Sequence, residues 1–192
     1  MTASASDLAS ALEQITSLLP SRAPRLGGAR LVCVDGRSGS GKSTLAGALA
    51  ERLREAGARV QVLELESAYA GWDGLLGTPG AVAESLLAPL AAGRSGTVRT
   101  WDWQAMAWSD DRSVAPLARG EVMVLEGVGA GARPITAYAS LIVWCEAPES
   151  MRSERAAARD GGGDWWDAWA AQEDALLAAD PVWERADLTW SS

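Results

Sequence analysis

Short apolar runs alternate along this chain with longer stretches in which apolar residues recur every three or four positions. The short runs predict buried strands, and the helical spacing predicts amphipathic helices. Strands are predicted at 30–35, 59–65, 97–103, 121–126, 141–145 and 187–190. Helices are predicted at 7–19, 43–56, 81–92, 149–159 and 165–179.

Alternation of strands and helices predicts a three-layer α/β fold, in which a parallel sheet carries helices on both faces and binds ligands at the carboxyl ends of its strands. The chain of 192 residues shows no repeat and no obvious linker, so we expect a single domain over 1–192. Within it, 1–29 would form an N-terminal helix and connector.

The segment that follows the first of these strands reads Gly-Arg-Ser-Gly-Ser-Gly-Lys-Ser over 36–43. This is the complete G-x-x-x-x-G-K-[ST] pattern, placed between a strand and a helix. Its glycines let backbone N–H groups surround a polyphosphate, the lysine reaches the β- and γ-phosphates, and the serine hydroxyl is a ligand of Mg²⁺. The motif predicts a P-loop for a magnesium-bound nucleotide, formed by Gly36, Ser38, Gly39, Ser40, Gly41, Lys42, Ser43 and Thr44.

Lys42 is the only lysine of the chain, since the other sixteen of its seventeen basic residues are arginines. Wherever a generic cation suffices, arginine is used. A planar guanidinium does not fit a phosphate nest as a slim ammonium does. The single lysine therefore strengthens the interpretation of the motif.

A second motif, which contains an acidic residue, lies at the end of the strand at 121–126. It reads Val-Met-Val-Leu-Glu-Gly over 122–127. A carboxylate at the end of a strand beside the P-loop is the arrangement expected for a residue that holds a Mg²⁺-bound water. We therefore expect Glu126 to bind the metal together with Ser43. The alternative is a solvated acid at a strand end.

The composition narrows the classes of function. With 48% hydrophobic and 22% charged residues, the chain is typical of a soluble globular protein. A net charge of −8 disfavours nucleic acid and anionic membranes as partners. No signal peptide and no apolar stretch near the ~20 residues of a membrane helix is visible, so a cytoplasmic location is expected. Cys33 and Cys145 lie in predicted strands, where they suit the core better than a disulfide or metal site.

Absent residue types exclude further chemistry. The chain has no histidine, which excludes Ser-His-Asp and Cys-His catalysis. It also has no asparagine, and its only lysine belongs to the P-loop. A protein-kinase catalytic loop and the guanine-reading N-K-x-D motif both need an asparagine. A GTPase switch is therefore disfavoured.

The order of motifs resembles the uridine kinase and nucleoside kinase family of P-loop phosphotransferases, with its phosphoribulokinase-like and pantothenate-kinase-like branches. The resemblance rests on the P-loop, on Glu-Ser-Ala-Tyr at 66–69, on Trp-Asp at 72–73, on Trp-Asp-Trp at 101–103, on the Glu-Gly strand and on an arginine-rich segment after 149. It implies the P-loop NTPase fold with an arginine-bearing lid.

Glu66 stands where this family usually has the aspartate that accepts the proton of the attacking hydroxyl, so the resemblance implies that Glu66 is the general base. Its carboxylate reaches roughly 1.5 Å further than that of an aspartate. An ordinary glutamate at a strand end is the alternative.

The resemblance also implies an acceptor pocket that includes Tyr69, Trp72, Asp73, Trp101 and Asp102. The aspartates would accept hydrogen bonds from hydroxyl groups, and the indoles would stack on a flat ring. The alternatives are that Asp73 belongs to a turn before Gly74 and that the tryptophans belong to the core of an excursion hairpin.

Arg152, Arg155 and Arg159 share one face of the predicted helix and precede three glycines at 161–163. The resemblance implies that this region, 150–166, is a lid with a glycine hinge. Arg155 and Arg159 would then neutralise the transferring phosphoryl group, and Arg152 would bind the nucleotide. A solvated basic helix face is the alternative.

Together these features predict an enzyme that transfers the γ-phosphate of ATP, with Mg²⁺, to a hydroxyl of a nucleoside-like or related small molecule. The alternatives are a kinase for another polyol or a pantothenate-like acceptor, and a regulatory nucleotide-binding protein with weak or no transfer. The sequence identifies neither the acceptor nor the oligomeric state.

Overall fold

A computed structural model describes residues 3–5, 7–160 and 165–192, with side chains for 7–158 and 165–192. In this part of the chain, six strands form one parallel sheet in the order β1-β10-β9-β2-β8-β3. They are β1 (Ala3–Ala5), β2 (Arg30–Gly36), β3 (Val60–Glu64), β8 (Val122–Glu126), β9 (Leu141–Glu146) and β10 (Leu188–Ser191). The remaining strands form two small antiparallel pairs outside the main sheet, β4 (Gly96–Val98) with β7 (Arg112–Val114), and β5 (Trp101–Asp102) with β6 (Ala107–Trp108).

Helices cover both faces of the sheet. The described α-helices are α1 (Leu8–Leu18), α2 (Lys42–Glu55), α3 (Thr78–Val82), α4 (Ala88–Ala91), α5 (Arg133–Thr136), α6 (Glu149–Asp160) and α7 (Trp165–Ala179). A π-helical turn, Ala83–Leu87, joins α3 to α4, and short 3₁₀ helices lie at Leu19–Ser21, Leu65–Ala68, Gly71–Asp73 and Val182–Arg185.

Two apolar clusters show how the layers form. Ile15 of α1 and Leu45 of α2 pack with Val34 on one face of the sheet. Leu86 of the π-helical turn and Leu177 of α7 pack on the other face. The expected three-layer α/β fold is confirmed, because both faces of a parallel sheet must be covered to bury its strands.

The predicted helices and the strands of the main sheet occur at or near their expected positions. Asp7 accepts a hydrogen bond from Ser10 N at 2.7 Å and caps α1. Cys33 and Cys145 are buried and free on opposite faces of the sheet, as expected, and burial raises the pKa of both thiols. None of the described helices combines the length and the apolar character that a membrane crossing requires.

Two expectations differ from the structure. The strand expected at 97–103 is divided into β4 and β5, which pair with different partners, because each short piece finds its own antiparallel neighbour. The helix expected at 81–92 begins earlier, at Thr78, with Pro79 in its first turn, where proline is favourable. The strand β1 is only three residues long, and its Ala-Ser-Ala sequence has no β-branched or aromatic residue, so the sequence does not predict a strand there.

Candidate active site

The P-loop follows β2 without a break. Gly36, Gly39 and Gly41 have φ values of 148°, 76° and 88°, which residues with a Cβ rarely adopt. A Cβ on Gly41 would also lie 3.1 Å from the Trp190 ring. The glycines therefore turn the backbone toward the N-terminus of α2, which begins at Lys42, and this conformation suits phosphate binding.

Ser43 and Glu126 meet as expected for a metal site. The Ser43 hydroxyl donates a hydrogen bond of 2.8 Å to Glu126 Oε1, and Glu126 is 6% exposed. Burial raises the pKa of Glu126, while Lys42 and the Ser43 hydrogen bond oppose this shift. Two adjacent oxygen donors fit Mg²⁺, which takes its remaining ligands from water and phosphates. These two residues would hold the ion, which supplies charge neutralisation to the phosphates.

The register of the strands explains why Ser43 and Glu126 lie close together. In the parallel ladder Val34 pairs with Glu126, so the end of β8 lies beside the end of β2. Lys42 is 8% exposed, and its Nζ donates a hydrogen bond of 3.0 Å to Arg37 O. The ammonium is thus held within the loop that it would serve.

Asp35, which sequence reasoning missed, joins the P-loop to the loop after β8. It is fully buried, and its carboxylate accepts hydrogen bonds from Gly36 N at 2.6 Å, Gly129 N at 2.9 Å and Gly131 N at 2.8 Å. A carboxylate directly before a glycine-rich loop was the available signal. Its contacts fix the segment that follows Glu126 relative to the P-loop.

The buried Asp35 predicts a specific pH dependence. Desolvation raises its pKa from 3.8 to about 6, although the three backbone hydrogen bonds and Lys42 oppose the shift. Because the pKa of Asp35 is higher in the folded state, folding favours the protonated carboxyl. The folded state therefore loses stability as the pH rises from 3.8 to about 6, where the carboxyl of the unfolded chain is already ionised. Relative to Asp35→Asn, the wild-type free energy of unfolding should fall by about 2 kcal/mol between pH 4.5 and 7. Urea denaturation of both proteins measures this difference, and parallel pH profiles would contradict the assignment.

A small cavity of about 40 Å³, which is partly open to solvent, lies between the P-loop and the aromatic residues. The P-loop and the end of β8 form one side, and the expected base Glu66 and four tryptophans form the rest. Its walls are Ser38, Lys42, Ser43, Glu66, Tyr69, Trp72, Trp103, Glu126, Gly127, Val128, Trp165 and Trp169. The structure therefore brings Lys42, Ser43, Glu66, Tyr69, Trp72 and Glu126 together at one cavity.

Three residues expected in the acceptor pocket are not in the described lining of this cavity. Asp73 is exposed. Asp102 is exposed too, and its carboxylate accepts hydrogen bonds from Gln104 N at 2.8 Å and Ala105 N at 2.9 Å, which closes the turn between β5 and β6. Trp101 packs edge-on against Trp108 across the same hairpin. This segment forms the hairpin of the alternative interpretation, and its contact with an acceptor stays a prediction.

The aromatic wall is built from residues far apart in the sequence. Trp72 stacks on Trp165 with ring centroids 4.2 Å apart, and Trp103 and Trp169 also pack against Trp72. Trp103 donates a hydrogen bond of 3.1 Å from Nε1 to Glu66 O. The resemblance implies Trp72 in the acceptor pocket, but the sequence does not predict that Trp165 and Trp169 pack against it, because ten tryptophans give no signal about which of them meet.

The arginines of α6 lie against the P-loop. Arg152 donates from Nη1 to Ser38 O at 3.4 Å, and Arg155 donates from Nη1 to Gly39 O at 3.2 Å. A Cβ on Gly39 would collide with the backbone of Arg152, so glycine is required for this close approach. Arg159 belongs to α6, but its side chain and the predicted hinge at 161–163 lie outside the described residues.

Arg155 also borders a second cavity of about 170 Å³, which lies on the α2 side of the loop. The described lining consists of Gly39, Gly41, Lys42, Ser43, Thr44, Arg155 and Ala156. The P-loop therefore lines both cavities, of which this one is bordered by an arginine and the other by aromatic rings and carboxylates.

Comparison with known proteins shows what this chain is similar to. A family model described as the methylmalonyl-CoA mutase-associated GTPase MeaB matches residues 1–80. No curated protein sequence matches the chain.

Solved structures match over nearly the whole length. A possible uridine kinase from Bacillus stearothermophilus is 23% identical with a TM-score of 0.69, over 96% of this chain and 97% of the other. A Silicibacter protein provisionally described as a fructose transport system kinase is 24% identical with a TM-score of 0.63, over 97% and 100%. D-glycerate 3-kinase from Cryptococcus neoformans is 14% identical with a TM-score of 0.55, over 92% and 88%. The chain therefore has the P-loop NTPase fold, with the parallel sheet and flanking helices that these proteins share.

Proposed function

We propose that this protein is a small-molecule kinase that transfers the γ-phosphate of ATP to a hydroxyl group. One observation carries the proposal: Lys42, Ser43 and Glu126 of the phosphate and metal site line the same cavity as Glu66. A carboxylate across a cavity from the phosphate loop is suited to orient and deprotonate an acceptor alcohol. A P-loop that only binds nucleotide does not need such a residue.

The residues divide the reaction between them. Glu66 takes the proton of the acceptor hydroxyl while the hydroxyl oxygen forms a bond to the γ-phosphorus. The bond between the γ-phosphorus and the β,γ-bridging oxygen breaks, and ADP leaves. Lys42 and Arg155 stabilise the charge on the phosphates, and Ser43 and Glu126 hold the metal. Catalysis in this scheme consists of positioning and electrostatics.

The size of the cavity bears on the acceptor. The accessible space of about 40 Å³ holds roughly three water molecules, and the cavity is open to solvent, so a larger acceptor would extend out of it. A base between two rings also needs roughly 7 Å, twice the contact distance of two carbon atoms, whereas Trp72 and Trp165 are 4.2 Å apart. A base would therefore lie between these two rings only if they separated, whereas a small polyol would not need them to move.

A second candidate is a GTPase, because the MeaB model matches residues 1–80, which contain the P-loop. The absence of asparagine argues against it, since the guanine-reading N-K-x-D motif needs that residue. A regulatory protein that binds nucleotide without transfer is a third candidate. The three differ in their nucleotide preference and in their response to an acceptor.

The proposal is tested by ADP or GDP release with ATP or GTP, without acceptor and with uridine, fructose, glycerate and a series of small polyols. We expect ATP to be preferred and one acceptor class to raise release at least tenfold above hydrolysis, with a phosphorylated product. Release of GDP that no acceptor stimulates would support the GTPase. Tight nucleotide binding without release would support the regulatory protein.

A further inference from the structure

Glu173 is a buried carboxylate that the scheme above does not use. It belongs to α7 and is 1% exposed. Its Oε1 accepts hydrogen bonds from the backbone N of Ser38 at 2.8 Å and from Trp169 Nε1 at 2.9 Å. A charged group this deeply buried is costly unless it is paired. Its partners therefore indicate what it does.

Two arginines balance the charge of Glu173. Its Oε2 lies 3.7 Å from Arg37 Nη1 and 4.0 Å from Arg152 Nη1. Arg152 also donates to the carbonyl oxygen of Ser38. The Ser38 residue is thus held at its N–H by α7 and at its carbonyl by α6.

Trp169 connects the same point to the aromatic cavity. Its Nε1 also donates to Ser38 Oγ at 2.8 Å. Its ring packs against Tyr69 at 5.1 Å and against Trp72 at 5.9 Å, and all three line the cavity. One end of this indole therefore contacts the P-loop and the other contacts the wall where an acceptor would lie.

We propose that Glu173 is a positioning residue that holds the P-loop at Ser38 and, with Trp169, couples the conformation of the loop to that of the aromatic cavity. The effect on nucleotide binding is independent of the proposed kinase function, and only the effect of an acceptor rests on it. Without the carboxylate, the Ser38 N–H loses its acceptor and the loop loses its connection to α7. A loop that is free to move must be ordered when nucleotide binds, which lowers affinity.

Two substitutions at this position separate hydrogen bonding from charge. In Glu173→Gln the amide oxygen can still accept from Ser38 N and Trp169 Nε1, whereas Glu173→Ala removes the acceptor. We expect the Kd for Mg·ATP, measured by calorimetry below the melting temperature of each variant, to rise at least tenfold in Glu173→Ala and to stay within threefold in Glu173→Gln. The control is Asp174→Asn, which removes the neighbouring, exposed carboxylate that pairs with Arg37, and it should leave Kd unchanged.

Equal Kd values in wild type and Glu173→Ala would overturn the proposal, and so would an equal rise in both variants. If Glu173→Ala does not fold, a double-mutant cycle decides. Trp169→Phe keeps a ring and loses the donor, and Ser38→Ala loses the acceptor. We expect the two effects on Kd to be non-additive by at least threefold, and additive effects would overturn the proposed coupling.

A separate experiment tests the coupling to the acceptor and uses the most active acceptor of the panel. It measures how this acceptor changes the Kd for a non-hydrolysable ATP analogue in the wild type and in Trp169→Phe. Coupling predicts at least a threefold effect that Trp169→Phe abolishes, and an undiminished effect contradicts it. Loss of nucleotide affinity in Glu173→Ala without any active acceptor would reject the kinase function and retain the role of Glu173 at the P-loop. Acceptor-dependent transfer with an unchanged Kd in all variants would retain the kinase function and reject the role of Glu173.

Discussion

Lys42→Ala should lower phosphoryl transfer by at least about 10³-fold, because it removes the cation closest to the developing charge of the transferred group. Lys42→Arg should fail nearly as badly, since the guanidinium does not fit the phosphate nest. Single-turnover rates at saturating Mg·ATP measure both. Arg52→Ala is the matched control, because it removes a positive charge from an exposed position near the other end of α2 and should leave the rate unchanged.

The same lysine permits a chemical test. It carries the only side-chain amine of the protein, so an acylating reagent should modify Lys42 and the N-terminus alone. Mg·ATP should protect Lys42 and leave the N-terminus reactive, which mass spectrometry can quantify. Equal labelling of Lys42 with and without nucleotide would show that it does not contact the phosphates.

Glu66→Gln should lower acceptor phosphorylation by roughly 10²–10⁴-fold while the fold and the Kd for Mg·ATP are retained. The amide keeps the size of the side chain and loses the ability to take a proton. Glu64→Gln is the matched control, because Glu64 is an exposed carboxylate two residues earlier at the end of β3. Initial rates with the acceptor identified in the panel measure the effect.

Glu66→Asp gives a further distinction. Activity equal to or above that of the wild type would mean that the shorter aspartate, which the resemblance to the nucleoside kinase family leads us to expect here, also suits this cavity. A large loss would mean that the cavity is arranged around the longer side chain. Full activity in Glu66→Gln would reject Glu66 as the base. Glu126 would then be the next carboxylate to test, since it is the other acidic residue in the described lining of the cavity.

The stronger parts of the candidate site were predictable because they are local. A strand, a glycine-rich turn and a helix occupy consecutive residues at 30–56, so their order fixes where Lys42 and Ser43 lie. Glu126 was predictable for a related reason, since an acid at the end of a buried strand must lie at the carboxyl edge of a parallel sheet. The hydrogen bond between Ser43 and Glu126 is the outcome.

The weaker predictions depended on contacts across the chain. The segment at 101–103 offered two indoles and a carboxylate, and the sequence left open whether they face a pocket or a hairpin. In the structure the Asp102 carboxylate accepts hydrogen bonds from Gln104 N and Ala105 N, which place it in the turn of a hairpin. Trp103, at the end of the same segment, reaches the cavity instead.

By itself, the sequence determined the alternation of strands and helices, the phosphate loop and the acidic end of β8, because periodicity and backbone conformation act over neighbouring residues. The tertiary structure alone decided which tryptophans surround the cavity, how Asp35 joins two loops and why a glutamate of α7 holds Ser38. These contacts join residues up to 135 positions apart, as from Ser38 to Glu173. Such pairs depend on how the layers pack, and no local rule of spacing encodes that packing.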